Sequence, residues 1–342
     1  MRILVVAPAW VGDGVLAQPL FMRLHEHHPD LALDVLAPQW TLPLFARMPQ
    51  VRRTFASPFG HGELKLGARL RLARTLRAER YDQAIVLPNS FKSALIPWFA
   101  RIPLRTGFRG ETRYGVLNDI RMLDAGALPQ MAERFALLAE APGSALPRPL
   151  PQPRLTVNDA QRSTTLAALG LTRARPAAAL CPGAEYGPAK RWPAVHFTAL
   201  AQQLIERGCD VWLIGSAKDE PIGAAIARAS AAVNLCGKTS LDQAIDLLSC
   251  ANIVVSNDSG LMHVAAALDR PLIALYGSSS PEFTPPLSPQ ATVIWLHIEC
   301  SPCFQRECPL GHFRCMLELT PERVMSAIDF DTIGIPQTAS RP

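Results

Sequence analysis

The segment IVVSNDSGLMHVAAAL, residues 253–268, places polar side chains where a strand-like apolar run meets a helix-like stretch. Asp258, Ser259 and Gly260 open that helix, and a helix N-terminus presents unpaired N–H groups and the positive end of its dipole. The turn could therefore bind an anion, although Asp258 or Ser259 could equally be a simple N-cap. His263 lies one helical turn beyond Gly260. Its ring could reach the anion-binding position, or His263 could be an ordinary surface or core histidine.

A second segment, CPGAEYGPAKRWPAVHF at residues 181–197, carries basic side chains in a loop that follows another strand-like run. Lys190 and Arg191 come just before a helix that begins near Pro193. A lysine in such a loop suits a phosphate group, because ligands of parallel sheets bind outside the carboxyl ends of the strands. The alternative is an ordinary solvated Lys-Arg pair.

A third segment, IGSAKDEP at residues 214–221, adds acidic side chains after a further strand-like run. Asp219 or Glu220 could hold ribose hydroxyls, or could simply complement the N-terminus of the next helix. All three segments follow strand ends in the same half of the chain. Their shared placement predicts a nucleoside-diphosphate site in that half.

The N-terminal segment MRILVVAPAWVGDGVLAQPLF sets a carboxylate between two glycines. The glycines predict a tight turn after the first strand, and Asp13 in that turn is either a helix N-cap or a catalytic group. Gly12 and Gly14 begin a G-x-G-x-x-G fingerprint, but Ala17 stands where the third glycine belongs. A dinucleotide-binding enzyme is therefore disfavoured without being eliminated.

Positive charge is concentrated in the N-terminal half, although the whole chain has a net charge of only +5. The stretch from Arg47 to Arg80 contains nine basic residues and two acidic ones, Glu63 and Glu79. Such a stretch is either a solvated helix face or a surface for a polyanion. No nucleic-acid-binding module is recognisable, so a phosphorylated lipid head group fits better than nucleic acid.

The segment CSPCFQRECPLGHFRC, residues 300–315, contains half of the eight cysteines of the chain. The C-x-x-C pair followed by further thiols and His312 is typical of a structural zinc site. The alternative is a group of reduced cysteines that stabilises a loop. No signal peptide or membrane-spanning run is visible, which predicts a cytoplasmic protein, at most bound to the membrane surface, whose cysteines are thiols.

Strand-like and helix-like stretches alternate along the 342 residues, which predicts an α/β protein with parallel sheets. The proline-rich segment PGSALPRPLPQPRL, residues 142–155, is predicted to link two doubly wound domains that face each other across a cleft. The predicted domains are residues 1–155 and 156–331, the second ending in a closing helix. Residues 332–342 are predicted to be a loose tail.

Six segments together resemble glycosyltransferase family 9, the heptosyltransferases, over nearly the whole chain and in the same order. They are MRILVVAPAWVGDGVLAQPLF, VLPNSFKSAL, RTGFRGETRYGVLND, CPGAEYGPAKRWP, SNDSGLMHVAAAL and LYGSSSPEFTPP. The resemblance implies a GT-B fold with two Rossmann-like domains and a cleft between them. It implies inverting transfer of L-glycero-D-manno-heptose from ADP-heptose to the first heptose of the lipopolysaccharide inner core. The alternatives are transfer onto Kdo, a nicotinamide-dependent oxidoreductase, and a non-catalytic lipopolysaccharide-binding protein.

The resemblance also implies roles for individual residues. Asp13 matches a proposed catalytic base, and Lys190 matches a lysine beside the donor phosphates that also assists catalysis. The donor-binding set is Lys190, Asp258, Ser259, Gly260, Leu261 and His263, with Glu220 or Asp219 on the adenosine side. The acceptor-binding set is Lys65, Arg69, Asn89, Ser90, Lys92, Arg109 and Arg113. Glu185 and Tyr186 stand where a related enzyme has hydroxyl side chains.

The expected partners are ADP-heptose and a phosphorylated Kdo–lipid A acceptor, with no nucleic acid. The expected location is the cytoplasmic face of the inner membrane. No metal is expected at the site and none is expected to be obligatory, although magnesium could stimulate transfer and zinc could bind the four cysteines.

Overall fold

The computed structural model describes residues 1–60, 63–331 and 333–334. The chain divides into two compact units, Met1–Leu155 and Thr156–Pro342. The sequence-based division lies at the same position along the chain. The resemblance also implies that residues 1–155 bind the acceptor and residues 156–331 the ADP-sugar, and this assignment stays a prediction.

Unit 1 is built on one six-stranded parallel sheet. Its strands are β1 (Arg2–Val6), β2 (Ala32–Pro38), β3 (Arg53–Ser57), β4 (Gln83–Val86), β5 (Leu104–Phe108) and β6 (Asp119–Arg121). They lie in the order β3-β2-β1-β4-β5-β6, and every neighbouring pair is parallel. The central strand β1 is apolar on both faces, as a strand covered by helices on both sides requires.

Six α-helices are described in unit 1, within residues 1–60 and 63–155. They are α1 (Val11–Leu16), α2 (Gln18–His27), α3 (Leu42–Ala46), α4 (Leu66–Ala78), α5 (Phe91–Phe99) and α6 (Met131–Leu137), and a 3-10 turn spans Gln39–Thr41. Helix α1 already begins at Val11, so Gly12, Asp13 and Gly14 are helical. The predicted glycine turn after β1 is therefore wrong.

Unit 2 repeats the same plan. Its strands are β7 (Ala177–Cys181), β8 (Asp210–Leu213), β9 (Val233–Asn234), β10 (Ile253–Asn257), β11 (Leu272–Tyr276) and β12 (Ala291–Trp295). Its helices are α7 (Asp159–Ala168), α8 (Ala194–Glu206), α9 (Glu220–Ser230), α10 (Leu241–Cys250), α11 (Gly260–Ala267), α12 (Arg314–Leu317) and α13 (Pro321–Ser326). The strand order, β12-β11-β10-β7-β8-β9, equals that of unit 1 when each sheet is counted from its own first strand.

This strand order determines where each sheet can bind a ligand. The order reverses between β1 and β4 in unit 1, and between β7 and β10 in unit 2. At such a switch point the connecting chains leave in opposite directions, which opens a crevice at the carboxyl ends of the two strands. The segments that follow β1, β4, β7 and β10 are therefore the places to look for function.

Two predictions about chain organisation need correction. In the proline-rich segment, Leu146 is buried against Leu128 and Ala136 of unit 1, so the segment packs on that unit rather than only linking two domains. Ile333 is buried in the core of unit 2, so the chain is not loose there. Residues 332 and 335–342 of the predicted tail lie outside the described residues. Within residues 1–60, 63–331 and 333–334, no helix is both long and apolar enough to cross a membrane.

Candidate active site

The switch point of unit 2 holds an ion pair between Lys190 and Asp258. Lys190 ends a 3-10 turn, Pro188–Lys190, in the loop after β7, and Asp258 directly follows β10. The Lys190 Nζ donates to Asp258 Oδ2 at 2.5 Å, and Ser279 Oγ donates to the same oxygen at 2.5 Å. Because β7 and β10 are neighbours, the fold itself brings together two segments that lie far apart in the sequence.

Asp258 has a different role from the one predicted for it. Its side chain is only 5% exposed, and one of its oxygens is occupied by Lys190 and Ser279. A carboxylate in this position would repel a phosphate, but it fixes the ammonium group of Lys190 in one place. Asp258 is therefore a positioning residue for Lys190, and Lys190 is the group at this switch point that could meet an anion.

The sequence analysis missed Asn257, which is hydrogen-bonded to the loop that carries Lys190, here called the lysine loop, and so holds it against the sheet. Its Nδ2 donates to the carbonyl of Pro182 at 2.9 Å, and its Oδ1 accepts from the backbone N–H of Trp192 at 3.0 Å. Asn257 is fully buried at the end of β10. A buried amide must satisfy both of its polar ends, and here it does so by joining both sides of the loop. The sequence did contain a signal for this role, because an asparagine at the end of an otherwise apolar strand indicates a buried polar contact.

Helix α11 begins at the switch point with its N-terminus uncapped by a side chain. Ser259 is the N-cap residue, yet it makes no side-chain cap bond, and its Oγ instead lies 3.2 Å from Ser256 Oγ. Gly260 and Leu261 follow and are half-buried. The N-cap alternative for Asp258 is wrong, because the helix begins one residue later. The first backbone amides of α11 can therefore donate hydrogen bonds to an anion or to water.

His263 is buried beside Asp258 and is neutral at neutral pH. Its Nε2 lies 4.0 Å from Asp258 Oδ1, and its side chain is 5% exposed. Burial lowers the pKa of His263 to about 4, against an opposing effect of Asp258, and Nδ1 has no hydrogen-bond partner in the part of the chain that the structure describes. A neutral imidazole cannot balance phosphate charge, so the predicted contact with the donor would have to be a hydrogen bond.

The depressed pKa of His263 predicts a loss of stability in acid. Between the usual histidine value and about 4, the unfolded chain binds a proton that the folded chain does not. Stability is therefore intact above about pH 6.5 and decreases by about 3 kcal/mol as the pH falls to about 4. Unit 2 can be followed in urea through its buried tryptophans, Trp192 and Trp212. We expect His263→Gln to flatten this pH dependence.

The control for this measurement is His28→Gln, since His28 is exposed in unit 1. That variant should follow the wild-type pH dependence. Parallel pH dependences for wild type and His263→Gln would show that another group is responsible for the acid sensitivity.

Of the two acidic candidates on the adenosine side, Glu220 is the accessible one. Asp219 is buried, and its Oδ2 accepts from the backbone N–H of Ser216 at 2.9 Å and from Ser216 Oγ at 2.7 Å. The Asp219 carboxylate also fills the space where a side chain at Gly183 would lie. Asp219 thus holds the loop after β8 together, whereas Glu220 is exposed at the first position of α9.

Asp13 lies at the switch point of unit 1. It sits in the first turn of α1, the helix that follows β1 after a short connection, and Trp10 is the N-cap, so the N-cap alternative for Asp13 is wrong. Gly14 serves packing, because a Cβ there would lie 2.9 Å from Leu44 Cδ2. The Asp13 side chain is partly exposed. A carboxylate in the first helical turn also interacts favourably with the helix dipole.

The neighbouring strand β4 brings further predicted residues to the same sheet edge. Asn89 and Ser90 follow β4, and Ser90 is the N-cap residue of α5. Lys92 lies in the first turn of that helix and is half-exposed. Because β1 and β4 are paired, these polar groups and the segment of Asp13 leave adjacent strand ends. This arrangement agrees with a ligand crevice in unit 1.

Arg69 and Arg113 were predicted to bind the acceptor, and the structure contradicts this. Both are buried: Arg69 is 4% exposed and Arg113 is 2% exposed. Arg69 donates to the carbonyls of Leu64, Glu63 and Lys92 at 2.5, 3.0 and 2.9 Å. Arg113 donates to the carbonyl of Pro88 at 2.7 Å, to that of Phe108, and to Asn89 Oδ1 at 3.3 Å. Guanidinium groups used in this way hold loops together and are not presented to a ligand.

The other basic candidates remain on the surface. Arg109 is exposed, and Lys65 is exposed with its Nζ 2.8 Å from Glu63 Oε1. Screening by water makes such a surface pair weak, so Lys65 could exchange it for another anion. Acceptor binding by Lys65, Asn89, Ser90, Lys92 and Arg109 stays a prediction.

The cysteines of the C-terminal segment line one cavity together with His312 and Ser278. They are Cys300, Cys303, Cys308 and Cys315, and all four are free thiols. The Sγ of Cys300 lies 4.0 Å from His312 Nε2. Within residues 1–60, 63–331 and 333–334, however, no three histidine, cysteine or acidic side chains are grouped so that they could hold a metal ion.

Both units thus have the Rossmann-type strand order 3-2-1-4-5-6, with the Lys190–Asp258 pair at the switch point of unit 2 and Asp13 at that of unit 1. A family model, glycosyltransferase family 9 (heptosyltransferase), matches residues 69–314. The chain belongs to this family and is a glycosyltransferase. The predicted α/β fold class, with two Rossmann-like sheets, is confirmed.

Individual relatives match along almost their whole length. The chain is 48% identical over 340 residues to lipopolysaccharide heptosyltransferase 2 of Escherichia coli K12, covering 96% of this chain and 98% of that one. It is 46% identical over 344 residues to lipooligosaccharide heptosyltransferase 2 of Haemophilus influenzae, covering 96% and 99%. The solved E. coli ADP-heptose lipopolysaccharide heptosyltransferase II has a TM-score of 0.86 at 47% identity, covering 95% and 97%.

Proposed function

We infer that the protein transfers L-glycero-D-manno-heptose from ADP-heptose to the first heptose of the lipopolysaccharide inner core. The observation that carries this inference is the similarity to type-2 heptosyltransferases over almost the whole chain, with 48% identity to the E. coli enzyme. The ion pair of Lys190 and Asp258 at the switch point of unit 2 supplies a site of matching chemistry. A nicotinamide oxidoreductase is excluded by membership of the glycosyltransferase family.

In the donor site, we propose that Lys190 and the first amides of α11 contact the diphosphate of ADP-heptose. Asp258 holds the Lys190 ammonium in place before the donor arrives. Negative charge grows on the diphosphate as its bond to the sugar breaks, so a fixed cation stabilises the transition state more than the ground state. Glu220 is the exposed carboxylate for the ribose hydroxyls.

In the chemical step, we propose that Asp13 acts as general base. It accepts the proton of the acceptor hydroxyl while the oxygen forms a bond to the anomeric carbon, and ADP leaves from the opposite face with the bonding electrons. A single displacement of this kind inverts the anomeric configuration.

The proposed site needs no obligatory metal, because Lys190 and the α11 amides provide positive charge where the leaving group develops negative charge. Stimulation by magnesium and zinc binding by the four cysteines stay predictions. The first is checked by transfer in the presence of EDTA. The second is checked by the metal content of the purified protein.

For the acceptor, we propose that unit 1 binds at the surface of an anionic membrane. Leu66 and Leu70 are exposed on α4, at 47% and 40%, and Arg71, Arg74 and Arg77 are exposed on the same helix. Exposed leucines beside arginines can bind a membrane surface that contains anionic lipid. The phosphates of Kdo–lipid A contribute negative charge to such a surface. Such binding should weaken as salt is added.

The function is tested by measuring ADP release from ADP-heptose with two acceptors, heptosyl-Kdo2-lipid A and Kdo2-lipid A. We expect release with the first and little with the second. Release with Kdo2-lipid A alone would identify transfer onto Kdo. No release with either acceptor would indicate a non-catalytic binding protein. Presenting the acceptor in anionic vesicles at low and high salt tests the membrane proposal, which requires a salt-sensitive gain over detergent micelles.

A further inference from the structure

The segment that carries the four cysteines packs directly on the loop that carries Lys190. The backbone N–H of Ala189 donates to the carbonyl of Arg306 at 3.0 Å. A side chain at Gly187 would collide with that same carbonyl, so a glycine is required for the close approach. Tyr186 OH donates to the carbonyl of Phe304 at 2.7 Å. The backbone of residue 306 is thereby fixed beside the lysine loop.

Two cations contact the ring of Tyr186. Lys190 Nζ lies 5.1 Å from the ring centroid, and Arg306 Cζ lies 5.2 Å from it. Both distances are within the range of a cation–π interaction, which orients a cation over a ring face. The ring of Tyr186 thus orients the Arg306 guanidinium and also contacts Lys190 at the switch point.

The charge of the site shows why a second cation matters. Lys190 is already paired with Asp258, so its positive charge is partly offset before the donor binds. Arg306 is exposed, and no carboxylate of residues 1–60, 63–331 or 333–334 lies within ion-pair distance of it. The nearby Arg191 faces Asp219 at 3.9 Å and is partly compensated. Arg306 is therefore the uncompensated positive charge next to the lysine loop.

We propose that Arg306 binds the diphosphate of the donor together with Lys190. A guanidinium presents several donors in a plane, which suits the oxygens of a phosphate group. Tyr186 acts as its positioning residue, because its ring contacts the Arg306 guanidinium. The inference rests on the proposed function, since it names a further residue of the same donor site.

The test is calorimetric titration of the purified full-length protein with ADP and, separately, with adenosine. We expect Arg306→Ala to weaken ADP binding by about 10- to 100-fold, the range of a lost charge-assisted hydrogen bond, and to leave adenosine binding unchanged. Arg306→Gln keeps much of the side-chain stem but removes the charge, and it should show the same loss. Arg314→Ala is the matched control, because Arg314 is exposed in the same segment and paired with Glu318 at 2.5 Å.

Each outcome has one meaning. If the wild-type protein binds no ADP, both the proposed function and the proposal for Arg306 are overturned. If the wild type binds ADP and Arg306→Gln binds it equally well, the proposal for Arg306 is overturned while the proposed function stands. Equal losses for ADP and adenosine would also overturn it, because they would show that Arg306 only shapes the loop.

Discussion

Asp13→Asn should lower the rate of heptose transfer by roughly 10²- to 10⁴-fold, the usual contribution of a positioned general base. Asparagine is nearly isosteric with aspartate but cannot accept the acceptor proton. The binding of ADP should be unchanged, because Asp13 belongs to unit 1 and the residues proposed to bind the donor belong to unit 2. Transfer is measured as ADP release, and binding by calorimetry on the same preparation.

Two features make this variant a clean test. Asparagine keeps the size and one carbonyl oxygen of the aspartate side chain, so the protein should remain folded. Asp30→Asn is the control, since Asp30 is an exposed carboxylate of the same unit. Turnover by Asp13→Asn within a factor of two of wild type would remove Asp13 from the chemical step.

The architecture was predictable because apolar runs and loop positions follow directly from the residue pattern. The run at Ile3–Val6 has no polar alternation, and only a strand covered on both faces tolerates that. The helix start at Ser259 was likewise predictable, since a strand end followed by a helix start exposes backbone amides wherever it occurs.

The sequence could not show where charged side chains point. Arg69 and Arg113 have the same residue type as the exposed Arg109, but they are buried and bonded to carbonyl groups. Asp258 and Asp219 both looked like donor contacts, and each proves to hold a neighbouring loop or side chain. Such assignments depend on contacts between segments that are distant in sequence, which local spacing does not encode.

The same limit applies to the helix that contains Asp13. A Gly-Asp-Gly sequence predicts a turn, because glycine weakens a helix by about 1 kcal/mol relative to alanine. Close packing of α1 on α3 overrides that cost, since Gly14 leaves room for Leu44 and Phe45. The tertiary contact thus decides the local structure, and it places Asp13 in a defined helical turn.

The second large effect is expected at Lys190. Lys190→Ala should weaken ADP binding by about 100-fold, because two losses combine. The diphosphate loses a charge-assisted hydrogen bond worth about 1.5–3 kcal/mol. The Asp258 carboxylate, only 5% exposed, is left without its ammonium partner and repels the incoming phosphates.

Adding Asp258→Asn to the alanine variant separates these two losses. The double variant should bind ADP about tenfold more tightly than Lys190→Ala, since the unpaired charge is gone while the lost lysine contact is not restored. Calorimetry on wild type, both single variants and the double variant gives the coupling between the two residues. Additive effects would mean that Asp258 does not act through Lys190.

Arg207→Ala provides the matched control for this cycle, because Arg207 is a cation of unit 2 that contacts the ring of Phe330 rather than the switch point. Its removal should leave ADP binding unchanged. With that control in place, a non-additive result at Lys190 and Asp258 assigns the buried carboxylate its function. It holds the lysine where the diphosphate must bind, and its charge becomes harmful once the lysine is removed.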